Sequence, residues 1–138
     1  MSLLHRNIYV APSDLGGRGV FAAEQIKKDD VIEVCPVIVL APGQTSTLDK
    51  TTLYDYYFLW EDADSGLETC AIALGYGSLY NHAAPSNADY VMDFEHKTID
   101  IFCVRDIEPG EEITINYHGD PNNESPPWFM TDNKIRKK

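Results

Sequence analysis

The 138 residues, 43% apolar and 11% aromatic, fit one globular domain and exclude both a disordered chain and two domains of ordinary size. No apolar run approaches the roughly 18 residues that a membrane-spanning helix needs, so no membrane partner is expected. Eleven Lys and Arg face 22 Asp and Glu, and four of the eleven are Lys134, Arg136, Lys137 and Lys138, which leaves seven against 22, a net −15, over residues 1–133. Such a body repels phosphate backbones and attracts Lys- or Arg-rich segments, so nucleic acid is not an expected partner and a basic peptide is.

In chain order, residues 8–10, 20–22, 31–34 and 37–40 are short β-branched runs separated by turn residues, and each is expected to be a strand. Residues 43–60 open polar and β-branched and then become aromatic, and their periodicity leaves helix and strand both open. Further strands are expected at 68–72, 89–94, 98–104 and 113–115, with 90–104 folded as a hairpin about Glu95-His96-Lys97. Between them, Asn81 and His82 lie in a Gly-rich stretch followed by Pro85 and Asn87, a composition suited to an irregular buried loop held by side-chain hydrogen bonds. The prolines of 120–127 block regular pairing, which divides the chain into a single domain at 1–120 and a partly mobile tail at 121–138.

Strands therefore dominate, and the alternation of strands with longer helices that a doubly wound sheet requires is missing, so Gly17-Arg18-Gly19 is not a dinucleotide fingerprint. Cys35, Cys70 and Cys103 are odd in number and contain no C-x-x-C pair, which points to buried thiols in a reducing compartment rather than to a disulfide framework or a zinc site. The N-terminus lacks the layout of a secretory signal, so the expected location is cytoplasmic, or nuclear in a eukaryote.

Taken singly, the chemically suggestive residues have bland explanations. Gly17-Arg18-Gly19 makes a tight turn before a strand, His82 is a lone loop histidine rather than a metal ligand, and Tyr117 is a core aromatic. Their order changes this. Gly17-Arg18-Gly19, then Asn81-His82 with Asn87, then Gly110-Glu-Glu-Ile-Thr-Ile-Asn-Tyr117 resemble the G-x-G, N-H-x(4)-N and G-E-E-[LI]-T-x-x-Y elements of the SET-domain protein lysine methyltransferases, a likeness that extends over residues 6–118.

The resemblance implies a mostly β, β-clip-like fold of several small sheets with short helices. It also implies a knot-like arrangement in which the segment ending at Tyr117 threads beneath the Asn81-His82 loop. As cofactor it implies S-adenosylmethionine, with S-adenosylhomocysteine as product and no metal. Gly17, Arg18, Gly19, Leu79, Asn81, His82 and Tyr117 would hold the cofactor, with Tyr117 also the catalytic residue, and Tyr90 and Tyr76 would meet the substrate lysine.

Many relatives have Ser-Cys after Asn-His and a cysteine-rich zinc segment after the last tyrosine. Here Ala83-Ala84 follows and the tail has no cysteine, so Trp128, Phe129 or Met130 would have to supply an apolar cover instead. Cys35 and Gly119 stand where some relatives carry channel aromatics, which implies a wider channel. The activity implied is methyl transfer to a lysine of a histone-like or other basic protein, by a small domain that could complete its substrate groove by homodimerisation. The alternatives are a SET-like module that binds basic peptide or cofactor without turnover, and an unrelated all-β interaction domain.

Overall fold

The computed structural model describes residues 7–62, 64–117 and 121–124, and within them strands predominate. Strands β1 (Ile8–Pro12), β2 (Arg18–Ala22), β9 (Glu112–Ile115) and β6 (Asn81–His82) form one sheet in that order; β4 (Phe58–Asp62), β5 (Leu67–Ala73), β3 (Val31–Val39), β8 (Thr98–Cys103) and β7 (Ala88–Asp93) form the other. Ile99, Ile101 and Cys103 alternate along β8 with no exposed surface, the period-2 pattern of a strand buried on one face. β7 and β8 pair from Ala88 opposite Cys103 to Asp93 opposite Thr98, the hairpin expected about Glu95-His96-Lys97.

Two expectations are revised. Residues 31–40 hold one nine-residue strand rather than two, because β3 changes partner at Pro36: residues up to it pair with β8, and Val37 to Val39 pair with β5. Proline lacks an N–H, but at the changeover its carbonyl accepts from Leu74 N–H (2.8 Å) and the ladder resumes with Val37 N–H donating to Lys97 O (3.0 Å). Asn81-His82, expected as irregular loop, instead forms the short β6, which runs parallel to β9 with Asn81 opposite Thr114 and His82 opposite Ile115. The Asn81 and Tyr117 segments are thereby neighbours.

The open stretch 43–60 resolves into a helical turn, α1 (Thr45–Leu48), a 3-10 turn (Thr52–Asp55) capped by the Thr51 side chain, and β4. Its aromatic run is divided among several neighbours, with Tyr54 against Tyr57, Phe58 against Tyr90 and Trp60 against Phe94. All three cysteines are buried and unbridged.

After β6 the chain is fastened to β9 by a side chain acting as a strand. Asn87, 3% exposed, donates from Nδ2 to Glu112 O (2.8 Å) and accepts at Oδ1 from Thr114 N–H (2.8 Å), the pair of bonds a backbone peptide would make. Beyond Tyr117 the chain returns over the same loop: Ser86 N–H donates to Pro121 O (3.0 Å) and Asn116 Nδ2 to Asn123 O (2.6 Å). Asn87→Ala would leave a buried N–H and C=O of β9 without these partners, at about 1–3 kcal/mol each. Urea unfolding of that variant is expected to show a loss of about 2–4 kcal/mol relative to the parent chain.

Candidate active site

The site is assembled where the start of β2, the short β6 and the end of β9 meet. The turn before β2 needs glycine at positions 16 and 17, which adopt φ of 131° and 56°. Gly19 is required for a different reason: a Cβ there would run into the Glu112 carboxylate and reach 3.0 Å from Asn81 Nδ2.

Asn81 fastens this corner, donating from Nδ2 to Arg18 O (3.0 Å) and to Glu112 Oε2 (2.8 Å), while Ser13 Oγ donates to Glu112 Oε1 (2.6 Å). Glu112 thus joins the turn, β6 and β9. In the sequence Glu112 stands within the Gly110–Tyr117 element with no role of its own; the signal available was its position at the start of the Ile113–Ile115 alternation, the first residue of a buried strand.

His82 Nδ1 accepts from Tyr117 N–H (3.0 Å), and the two rings sit 5.2 Å apart. That bond requires Nδ1 to be unprotonated and makes the histidine part of the scaffold. Among the described residues, no three His, Cys, Asp or Glu side chains converge as a metal site.

Tyr117 donates its hydroxyl proton to Tyr80 O (2.8 Å). Its side chain lies on the wall of a cavity of about 320 Å³ whose other walls come from Asp55 to Leu59, from Gly77, Ser78 and Tyr80, and from Tyr90. Five of these ten lining residues are tyrosines, and Asp55 is the one carboxylate among them. Burial, then the charges of Glu112 and Asp55, push the Tyr117 hydroxyl far above its ordinary range. Burial and Asp89 push Tyr90 up to about 12. Tyr56 is raised by burial and Asp55 against the pull of the Arg18 guanidinium, so the corner at Arg18 adjoins the cavity wall. A cavity of this kind presents neutral hydroxyls and ring faces, suited to aligning an amine without a nucleophilic side chain.

Of the residues expected at the site, Gly17, Arg18, Gly19, Asn81, His82 and Tyr117 converge, and Tyr90 lines the cavity. Tyr76 and Leu79 pack against the core and are not among the lining residues. Cys35 is also absent from the lining, fully buried beneath Gly77. Gly119, Trp128, Phe129 and Met130 lie outside the described residues.

A family model for the SET domain matches residues 17–118. The chain is 33% identical over 102 residues to a Schizosaccharomyces pombe protein named as a histone-lysine N-methyltransferase specific for H3 lysine-37. That match covers 73% of this chain and 66% of the relative, so the chain spans just under two thirds of that protein. A crystal structure of a Plasmodium falciparum protein described as a candidate histone methyltransferase is 30% identical, with a TM-score of 0.60 over 80% of this chain and 96% of the other.

The raised tyrosines make the fold sensitive to alkali. Unfolded tyrosines lose their protons near pH 10, whereas Tyr80, Tyr90 and Tyr117 hold theirs to higher pH in the folded chain. Their contribution to stability is complete below about pH 10 and is lost as pH rises through the folded values. Denaturant midpoints are expected to fall as pH rises from about 10 toward about 12, with part of the phenolate absorbance appearing only as the chain unfolds.

Proposed function

Because this chain belongs to the SET-domain family, we propose that it transfers a methyl group from S-adenosylmethionine to the side-chain amine of a lysine in a basic protein. The observation that carries the reading is the Tyr117 hydroxyl, bonded to Tyr80 O at the wall of a tyrosine-lined cavity and joined through His82 to the strand that fastens the Gly17–Gly19 backbone. When bound, the cofactor supplies an electrophilic methyl on a sulfonium.

The residues present fit that cofactor. The backbone of Gly17, Arg18 and Gly19 is kept bare, since even a methyl group at Gly19 collides with Glu112, and Asn81 and His82 stand on the adjoining strand. In this reading Leu79 would give apolar contact from the core side, and Trp128 and Phe129, outside the described residues, would supply the apolar cover in place of a zinc-bound lid.

With its proton committed to Tyr80, the Tyr117 hydroxyl presents acceptor character to an amine N–H, which turns the nitrogen lone pair toward the methyl. Tyr90 lines the cavity that would take the side chain, its ring favours a cation on entry, and burial favours loss of the proton before attack. The net −15 of residues 1–133 draws in a lysine-rich partner, a histone tail or another basic protein. A histone substrate implies a nuclear location.

Incubating the chain with methyl-labelled cofactor and lysine-rich proteins is expected to label lysines. Tyr117→Phe should lower kcat by ~100-fold with cofactor affinity within about threefold, because alignment rather than binding is lost. An unlabelled protein pool despite measurable cofactor binding would favour the binding-only module. Truncation after Glu124, which leaves the Pro121 and Asn123 contacts in place, is expected to weaken cofactor binding by about tenfold in calorimetry; unchanged affinity would remove the cover from the proposal.

A further inference from the structure

Glu33 has no exposed surface, and neither the motifs nor the cavity account for it. A register shift between Val31 and Glu33 in β3 allows Ile32 and Glu33, successive residues, both to be buried. A carboxylate in a core is costly unless hydrogen-bonded, and an apolar residue of similar size would usually serve stability as well. What Glu33 contributes lies in what it holds.

Each carboxylate oxygen takes one end of a five-residue segment. Tyr76 N–H donates to Oε2 (2.9 Å) and the Tyr80 hydroxyl donates to Oε1 (2.7 Å). Between them the backbone has no slack. A Cβ at Gly77 would come within 2.6 Å of Ala73 Cβ and 2.9 Å of Cys35 Sγ, Ser78 Oγ donates to Ala73 O (3.1 Å), and Leu79 N–H donates to Tyr76 O (2.8 Å). The segment ends at the Tyr80 carbonyl, which accepts the Tyr117 hydroxyl. One path therefore runs from Glu33 through the Tyr80 ring and backbone to Tyr117. Burial and the Glu33 charge keep the Tyr80 hydroxyl protonated, as a donor must be.

We propose that Glu33 is a positioning residue for methyl transfer: it fixes the 76–80 segment so that the Tyr80 carbonyl holds the Tyr117 hydroxyl in the orientation the reaction needs. This rests on the function proposed above. It concerns the transfer step rather than binding, because Glu33 does not line the cavity and bonds to both ends of the 76–80 segment.

The test removes the Glu33 carboxylate and the Tyr80 hydroxyl together, since Tyr80→Phe alone strips a partner from a buried carboxylate and destabilises the chain. Glu33→Met with Tyr80→Phe leaves Tyr76 N–H without its acceptor, so Tm is expected to fall modestly while the variant stays folded at the assay temperature; cofactor Kd and peptide KM are expected to stay within about twofold of the parent while kcat falls about tenfold. Glu33→Gln, which retains one acceptor and one donor, should recover kcat to within about threefold of the parent. An unchanged kcat in the folded double variant overturns the proposal, as does a parallel decline of kcat, KM and Kd that follows lost stability.

Amide exchange makes a failure here distinguishable from failure of the function itself. If the parent chain transfers no methyl, the function reading falls, and the tie is still decided by exchange at residues 76–80. At least about tenfold faster exchange in the double variant supports the tie, and unchanged exchange overturns it.

Discussion

β9 is the constraint on which the rest of the site depends. Its four residues take β2 on one side and β6 on the other, and Ile113 and Ile115 have no exposed surface. Burying each isoleucine is worth about 1.5–3 kcal/mol, so this strand belongs to the core as much as to the site. Glu112 at its start meets Asn81 and Ser13, Thr114 meets Asn87, and Tyr117 follows two residues after its end. Three segments distant in sequence are placed relative to one another by one short strand.

In a chain with twice as many acidic as basic residues, much of this placement is done by neutral amides. Asn81 bridges the Gly-rich turn to β6, Asn87 pairs with β9 as a peptide group would, and Asn116 holds the returning chain at Asn123. An amide presents a donor and an acceptor in one plane and carries no charge to desolvate, so it can be buried beside a backbone edge at low cost. Glu112 and Glu33 are the exceptions, and each has both carboxylate oxygens engaged by donors from other segments.

The parts of the fold that could be read in advance were those governed by local alternation, notably β8 and its hairpin with β7. The two runs 31–34 and 37–40 form one strand because the cost of Pro36 depends on the partner strand, and the ladder passes from β8 to β5 where the missing N–H is not required. β6 is too short to carry a period, and it is a strand only because β9 lies beside it. Within the site, Gly17, Gly19, Asn81, His82 and Tyr117 were legible through their order, and Tyr90 only through the family resemblance that this order carries. Glu33 was not. A polar residue inside a β-branched run reads as a solvent-facing position, and only the bulge and the distant Tyr80 reveal it as buried.

The tyrosines also report on the medium that an amine would enter. Desolvation penalises whichever form is charged, which raises a phenol and lowers an ammonium. The burial that pushes Tyr90 to about 12, and Tyr117 further, would therefore push a lysine amine toward its neutral, nucleophilic form. Asp55 acts in the opposite sense, favouring the ammonium and so its capture. Capture and deprotonation make opposed electrostatic demands on one cavity. Under the proposed function this lining would meet them with different groups, a single carboxylate for attraction and a neutral aromatic enclosure for proton loss.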